Sequence, residues 1–226
     1  MKKEHLVEKE PSINVTYCNE KKTSEECEMD AIPNSKVLIK LLEAKTCQWY
    51  DYFYDKEGIT NQNNKFQNLA ICIHYCNFFQ WDREGKVRSS DISSETIRTL
   101  KREIDISNME RNELVEKLDE FCVSQLKLVE RNDWSELFIN SETLGQMVDR
   151  ISILILRIFF MECYFKRSDL DSDMRKICFY RVSKLRLQLE YSSTCYDRFI
   201  LHLRNGTGYM LAYKQFRFYK DEDLRR

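Results

Sequence analysis

The chain has 226 residues, and its 36 Lys and Arg residues almost balance its 37 Asp and Glu residues, leaving a net charge of −1. This balance argues against a broadly basic surface for nucleic acid or for an anionic membrane. Apolar residues make up 42 % of the chain, which suits one large globular domain, and only 5 Gly and 2 Pro interrupt it, which favours long helices.

The N-terminal segment is polar and shows little periodicity, so we expect residues 1–34 to form a disordered arm. The segment also lacks the apolar core of a signal peptide. An odd number of cysteines, 9 in all, is scattered through the chain rather than arranged as a small disulfide framework. We therefore predict a cytoplasmic protein with reduced thiols, whose residues 35–226 form a single domain.

Apolar residues at helical spacing predict five main helices, and hence an all-α helical bundle. Caps and breakers give the approximate ends of these helices. The first three are predicted to run from Ser35, over about 63–84 with a stop at Gly85, and from a cap at Asp91 or Ser93 to about residue 130.

The fourth helix is predicted to begin near Asn140 or Ser141 and is the most apolar of the chain. Its uninterrupted apolar run extends only from Ile151 to Leu156, with one Ser within it, before Arg157 follows. A membrane-spanning helix needs about 20 predominantly apolar residues. We therefore predict the central helix of a bundle and no membrane insertion.

The fifth helix is predicted to begin at a capping box formed by Ser168 and Asp171, and to end before Gly206 as a left-handed cap. The segment that follows, "TGYMLAYKQFRFYKDEDL", alternates aromatic and polar residues and suits either an extended tail or a short helix. Base stacking on single-stranded nucleic acid is one interpretation of this aromatic-basic tail. With a net charge near zero, packing of its aromatic rings onto the bundle is favoured, and no nucleic-acid partner is predicted.

The segment "CIHYC" resembles a metal-binding sequence but has the wrong spacing for one. On a helix Cys72 and Cys76 share a face, whereas His74 lies roughly 200° from Cys72. We therefore expect buried, inert cysteines here and predict no cofactor.

Polar residues interrupt the apolar stripes of three predicted helices. Asn108 and Arg111 lie on the stripe of the third helix, Asn77 lies on that of the second, and Asp149 and Arg150 precede the apolar run of the fourth. They either reach solvent and fix helix register, or meet in one polar pocket within an apolar frame. A buried guanidinium needs a carboxylate beside it. The carboxylates available to pair with these arginines include Glu84, Glu116 and Asp149.

Four stretches carry a family pattern in order along the chain: "IHYCNFFQWDRE", "LKREIDISNMERNELVEKLDE", "ETLGQMVDRISILILRIFFM" and "YKQFRFYKDEDL". The matching positions of the first two stretches, with the arginine just after the first, are His74, Asn77, Trp81, Glu84, Arg88, Lys101, Arg102, Asp105, Asn108, Arg111, Asn112, Glu116 and Asp119. Over residues 73–224 the chain resembles the bacterial family known as domain of unknown function 4254. The residues that interrupt the apolar stripes are all positions of this pattern.

The chain departs from the family pattern at three positions: Gly85 stands in place of Asp, Val87 in place of Ala, and Leu144 in place of Pro. The missing carboxylate at position 85 disfavours a metal held beside Glu84. The resemblance implies no known activity. Some members lie beside glycosyltransferases of surface-polysaccharide pathways, which implies a genomic context rather than a mechanism.

The first functional hypothesis is a non-enzymatic module that binds a small anionic ligand or a protein partner. Arginine and lysine would face the anion, while amide side chains orient it. No nucleophile–base arrangement has a local signature. The candidate pocket residues are His74, Asn77, Trp81, Glu84, Asn108, Arg111, Asn112, Glu116, Asp149, Arg150, Lys214 and Gln215.

The alternative hypothesis is a Mg²⁺-dependent hydrolase of nucleotides or sugar phosphates. Carboxylates at intervals of three follow one flank of the third helix, and more precede the fourth. Mg²⁺ accepts a few carboxylates together with water and substrate phosphate. Acidic residues at this spacing are also typical of a solvated helix face. The candidate metal ligands are Glu113, Glu116, Asp119, Glu142 and Asp149.

Overall fold

The structure, a computed structural model, describes residues 32–51 and 64–216. Within these ranges the predicted all-α helical bundle is confirmed. The predicted disordered arm up to residue 31, residues 52–63 and the last ten residues lie outside the described residues. The five helices are α1 (Ser35–Asp51), α2 (Lys65–Val87), α3 (Ser94–Gln125), α4 (Leu144–Phe165) and α5 (Ser172–Arg204).

Helices α2 and α3 form an antiparallel hairpin. Phe66 at the start of α2 packs against Phe121 near the end of α3, with ring centroids 6.4 Å apart. At the opposite end Arg83 Nε donates to Glu103 Oε2 at 2.5 Å. This pairing places the middle of α2 beside the middle of α3, where Asn77 and Arg111 lie.

Helix α4 crosses the centre of the bundle and pairs with α5. Its start is fixed by a capping box, in which the Thr143 hydroxyl accepts from Gln146 N and the Gln146 side chain accepts from Thr143 N. Arg186 of α5 pairs with Glu162 near the end of α4 at 2.6 Å. The buried side chains of α4 face α1, α2 and α3, and they include Leu144, Val148, Ile151 and Ile155.

Two predicted helix ends were wrong for identifiable local reasons. Helix α3 ends at Gln125 rather than near residue 130, because Lys127 adopts a left-handed φ of 50° without the glycine that usually marks such a stop. Helix α4 begins at Leu144 rather than near Asn140 or Ser141, because Thr143 provides the cap.

The other helix ends follow the sequence more closely. Ser93 caps α3. Asp171 caps α5 and accepts from Asp173 N and Met174 N, whereas Ser168, the other member of the predicted capping box, takes no part in the cap. Gly206 has a φ of +68°, as its predicted left-handed role requires. Gly85 lies inside α2 and does not terminate it.

The segments around α4 and α5 meet in a two-stranded parallel sheet that was not predicted. Strand β1 (Phe138–Ile139) pairs with β2 (Gly208–Tyr209). From Met210 to Phe216 the chain forms neither helix nor strand, and Phe216 has a left-handed φ of 39°, so no short helix follows β2 within the described residues. Tyr209 stacks on Trp134 with ring centroids 5.8 Å apart, so this part of the tail lies against the bundle.

Seven cysteines fall within the described ranges, and all of them are free thiols. Cys18 and Cys27 lie outside those ranges. None of the helices described is long and apolar enough to cross a membrane. The cytoplasmic location stays a prediction.

Candidate functional site

The centre of the site is Asn77, whose amide uses all of its polar atoms. Its Nδ2 donates to Asp149 Oδ1 at 2.7 Å and to Ser152 Oγ at 2.9 Å. Its Oδ1 accepts from Arg111 Nη1 at 3.2 Å. A buried amide that is fully satisfied in this way joins α2, α3 and α4 at one point.

The network extends inward through His74, which is completely buried. Thr46 donates its proton to Leu42 O at 3.0 Å, so its oxygen accepts from His74 Nε2 at 2.8 Å. His74 Nδ1 then accepts from Ser152 Oγ, also at 2.8 Å. We assign the Nε2–H tautomer on this ground. Burial lowers the pKa of His74 to about 3, and the imidazole is therefore neutral.

The network extends outward through Arg111 and Asp149, which form an ion pair with Nη1 and Oδ2 3.4 Å apart. Their side chains are 18 % and 19 % exposed, so the pair lies at the boundary between core and solvent. Arg111 Nη2 also donates to Asn108 Oδ1 at 2.6 Å, and Asn108 is exposed. The network thus connects the exposed side-chain amide of Asn108 to the buried backbone oxygen of Leu42.

The outer part of the network is incompletely satisfied. Arg111 Nε is buried and has no hydrogen-bond acceptor among the described residues. Burial raises the pKa of Asp149, although Arg111 and Asn77 oppose that change. Desolvation therefore disfavours the ionised carboxylate, while its two neighbours favour it.

Helical spacing explains why these residues meet. His74 and Asn77 are three residues apart on α2, and Asp149 and Ser152 are three residues apart on α4. Side chains at this spacing lie on the same face of a helix. His74 therefore faces Ser152 and Asn77 faces Asp149, so the two contacts lie next to each other between α2 and α4.

The sequence comparison agrees with this geometry. Residues 67–211 match the family described as "Protein of unknown function (DUF4254)". The chain belongs to the DUF4254 family. The resemblance found in the sequence is thereby confirmed, although the match ends before the stretch "YKQFRFYKDEDL". No curated protein and no solved structure matches the chain.

Five of the candidate residues predicted from the sequence belong to the network: His74, Asn77, Asn108, Arg111 and Asp149. The half-buried Asn112 follows Arg111 on α3.

The remaining predicted residues lie elsewhere. Arg150 is exposed and bonded to Glu142, with Nε and Oε1 2.8 Å apart. Glu84 is partly exposed, and its carboxylate lies 3.6 Å from the Arg88 guanidinium.

Trp81 stacks on Phe160, with ring centroids 5.0 Å apart. Both rings line a separate groove of about 350 Å³, next to Asp82 and Lys86. The apolar stripe of α2 therefore continues past the network into an aromatic surface.

Lys214 and Gln215 contact α3 at a second polar cluster. Lys214 pairs with Glu120, and Gln215 N donates to Glu116 Oε1 at 3.1 Å. In the same region Asp119 Oδ1 accepts from Gly145 N at 2.7 Å. Burial raises the pKa of Asp119 to about 6.

Four of the five carboxylates of the metal hypothesis contact different partners. Asp149 pairs with Arg111, Glu142 with Arg150, Asp119 with the start of α4, and Glu116 with Gln215 N. In the described part of the chain no three Asp, Glu, His or Cys residues come together as a metal site would require. The Mg²⁺-dependent hydrolase stays a prediction, which a magnesium titration followed by thermal unfolding tests.

Three residues important to the site were missed in the sequence. Ser152 interrupts an apolar run, and Thr46 follows Leu42 by one turn on α1; both signals were visible but weak. Gly145 lies where an added Cβ would stand 2.7 Å from the Val115 carbonyl oxygen. Only the packed structure reveals that close approach.

His74 and Asp119 are both buried, and they have opposite effects on how the free energy of unfolding depends on pH. In the folded state the pKa of His74 is lowered from 6.5 to about 3, so the unfolded chain takes up this proton first as the pH falls. As the pH falls below 6.5, this uptake by the unfolded chain lowers the free energy of unfolding by roughly 1.4 kcal/mol per pH unit. The pKa of Asp119 is raised from 3.8 to about 6, so between those values its protonation stabilises the folded state as the pH falls.

We therefore expect the two contributions largely to cancel between pH 6 and pH 4 in the wild type. Asp119→Asn removes one of them, and its free energy of unfolding should fall more steeply over that range. Urea denaturation at several pH values measures both slopes. Equal slopes in the two proteins would contradict the buried, titrating Asp119.

Proposed function

We propose that the protein is a non-enzymatic binding module whose ligand docks at the outer end of the polar network. The ligand is a small anion, or an anionic group of a partner, and Arg111 is its principal contact. The observation that carries this proposal is the state of Arg111, which is half-buried and paired but keeps one buried donor without an acceptor.

A guanidinium has five N–H donors in a planar fork. In the free protein those of Arg111 meet only Asn77, Asn108 and Asp149, and the Asp149 contact is long at 3.4 Å. A buried donor without an acceptor costs about 1–3 kcal/mol. An anion that meets this donor while Arg111 Nη1 keeps Asn77 and Asp149 therefore gains charge-assisted hydrogen bonds without breaking the ion pair.

The neighbours of Arg111 suit a ligand that also carries hydroxyl or amide groups. Asn108 is exposed and offers both a donor and an acceptor. Asp149 accepts from Asn77 and keeps a partly exposed carboxylate beside Arg111. Sugar phosphates and nucleotide sugars combine an anion with hydroxyl groups, and the proposed association with surface-polysaccharide pathways makes them the first compounds to test.

Thermal unfolding in the presence of inorganic phosphate, glucose 1-phosphate and UDP-glucose tests the proposal. A ligand that binds only the native state at 100 times its Kd adds about 2.7 kcal/mol to stability, and it raises the melting temperature. We expect at least one compound to stabilise the wild type and none to stabilise Arg111→Met.

Arg98→Met is the matched control, because Arg98 lies on the same helix, is exposed and pairs with Glu95 at 2.9 Å. It should respond to the compounds as the wild type does. Equal stabilisation of wild type and Arg111→Met would place the ligand elsewhere and refute the proposed site.

A further inference from the structure

Helix α5 carries a second apolar stripe on the side that faces away from the bundle. Ile177, Tyr180, Leu187, Tyr191 and Leu201 are between 42 % and 73 % exposed. They recur at alternating steps of three and four or their multiples, with polar residues at the remaining positions of the pattern. At 100° per residue they occupy a sector of roughly 120°.

The opposite side of α5 already packs on the bundle. Its buried residues include Cys178, Tyr196, Ile200 and Leu203. A helix that is apolar on both sides has one face available for another partner, since apolar patches of this extent on a soluble protein mark interaction surfaces. Two rings of this stripe, those of Tyr180 and Tyr191, are among the most exposed aromatic residues of the described chain.

We infer that the α5 stripe binds the same stripe of a second copy of this chain in an antiparallel pair. The sequence of the stripe is complementary to itself when reversed about Leu189. In that register the facing residues are Ile177 with Leu201, Tyr180 with Arg198, Lys184 with Thr194, and Leu187 with Tyr191.

One polar position of the stripe finds a suitable partner in this register. The Arg198 guanidinium meets the ring of Tyr180 of the second copy, a cation–π contact. This contact occurs twice, as two-fold symmetry requires.

The area of the stripe agrees with a stable pair. Five large side chains that are about half exposed offer on the order of 600 Å² per copy, given the 150–250 Å² of an aromatic residue. Two copies then bury about 1,200 Å², the lower end of specific interfaces.

Sedimentation equilibrium of the full chain tests this pairing. We expect a dimer, and Leu187→Glu should raise its dissociation constant at least about tenfold, because a charge enters the centre of the interface. Phe179→Glu is the control, since Phe179 is 68 % exposed on the same helix but lies outside the stripe. It should leave the dissociation constant nearly unchanged.

A pair of opposite charges tests the antiparallel register. Ile177→Glu and Leu201→Lys each place a charge against an apolar side chain of the second copy, so each should weaken the dimer. In the double variant the two opposite charges face each other in the antiparallel register, so it should restore the dimer. A monomeric wild type would overturn the proposal, as would a dimer insensitive to Leu187→Glu. Weakening by both single changes without recovery in the double variant would overturn the antiparallel arrangement.

Discussion

Gly145→Ala should destabilise the protein by about 3 kcal/mol, since overpacking combined with a lost buried hydrogen bond has this scale. The new Cβ would lie 2.7 Å from the backbone oxygen of Val115 and 2.8 Å from Asp119 Oδ1. Neither atom can move freely, because one belongs to the backbone of α3 and the other accepts from Gly145 N. Chemical denaturation measures the loss directly.

Gly85→Ala is the control with the opposite sign. Gly85 lies inside α2, and a Cβ added there meets no atom within 4 Å. Alanine in a helix is favoured over glycine by roughly 0.5–1 kcal/mol, so a small gain in stability is expected. If Gly145→Ala were as harmless as Gly85→Ala, the close contact between α3 and the start of α4 would be contradicted.

Arg111→Met should also lower the free energy of unfolding, by about 3 kcal/mol. The change leaves the Asp149 carboxylate desolvated without its cation, and it removes a donor from Asn77. We place the effect at the lower end of the scale for broken buried pairs because about a fifth of each side chain remains exposed.

Arg111→Met combined with Asp149→Leu removes both charges and should recover part of that loss, since the cost comes from the unpaired charge. The exposed control Arg98→Met should change stability by no more than about 0.5 kcal/mol. A loss for Arg111→Met as small as that of the control would mean that the ion pair contributes nothing to the fold.

The helices could be predicted from the sequence because their apolar periodicity is strong and breakers are few. The ends of the helices depended on capping residues and on local backbone conformation, only some of which could be recognised in the sequence. Ser93 was one of two predicted caps of α3. The capping box predicted for Ser168 and Asp171 was wrong because Asp171 is itself the cap of α5, and Lys127 ends α3 in a conformation that glycine normally marks. The parallel pair β1 and β2 escaped prediction because each strand has two residues, too few for a pattern.

The site could be predicted where a polar side chain interrupts an apolar stripe, as Asn77 and Arg111 do. A polar side chain next to an apolar run did not predict the place of Arg150, which lies outside the network. The family pattern did not predict that of Trp81, which also lies outside it. Residues adjacent in a motif point to different faces of a helix, so Arg150 turns to Glu142 while Asp149 turns to Arg111. The position of a residue on its helix decides which way its side chain points. Which of these side chains then meet depends on how α4 crosses α2.

The Nε–Hε resonance of Arg111 gives the most direct test of the proposed site. In ¹⁵N-labelled protein it is identified by its absence in Arg111→Lys, and it reports on the donor that has no acceptor in the free protein. During titration with the compound that stabilises the wild type, we predict a saturable downfield shift of this resonance as it gains an anionic acceptor. A resonance that stays fixed while the compound binds would contradict the assignment of Arg111 as the anion contact.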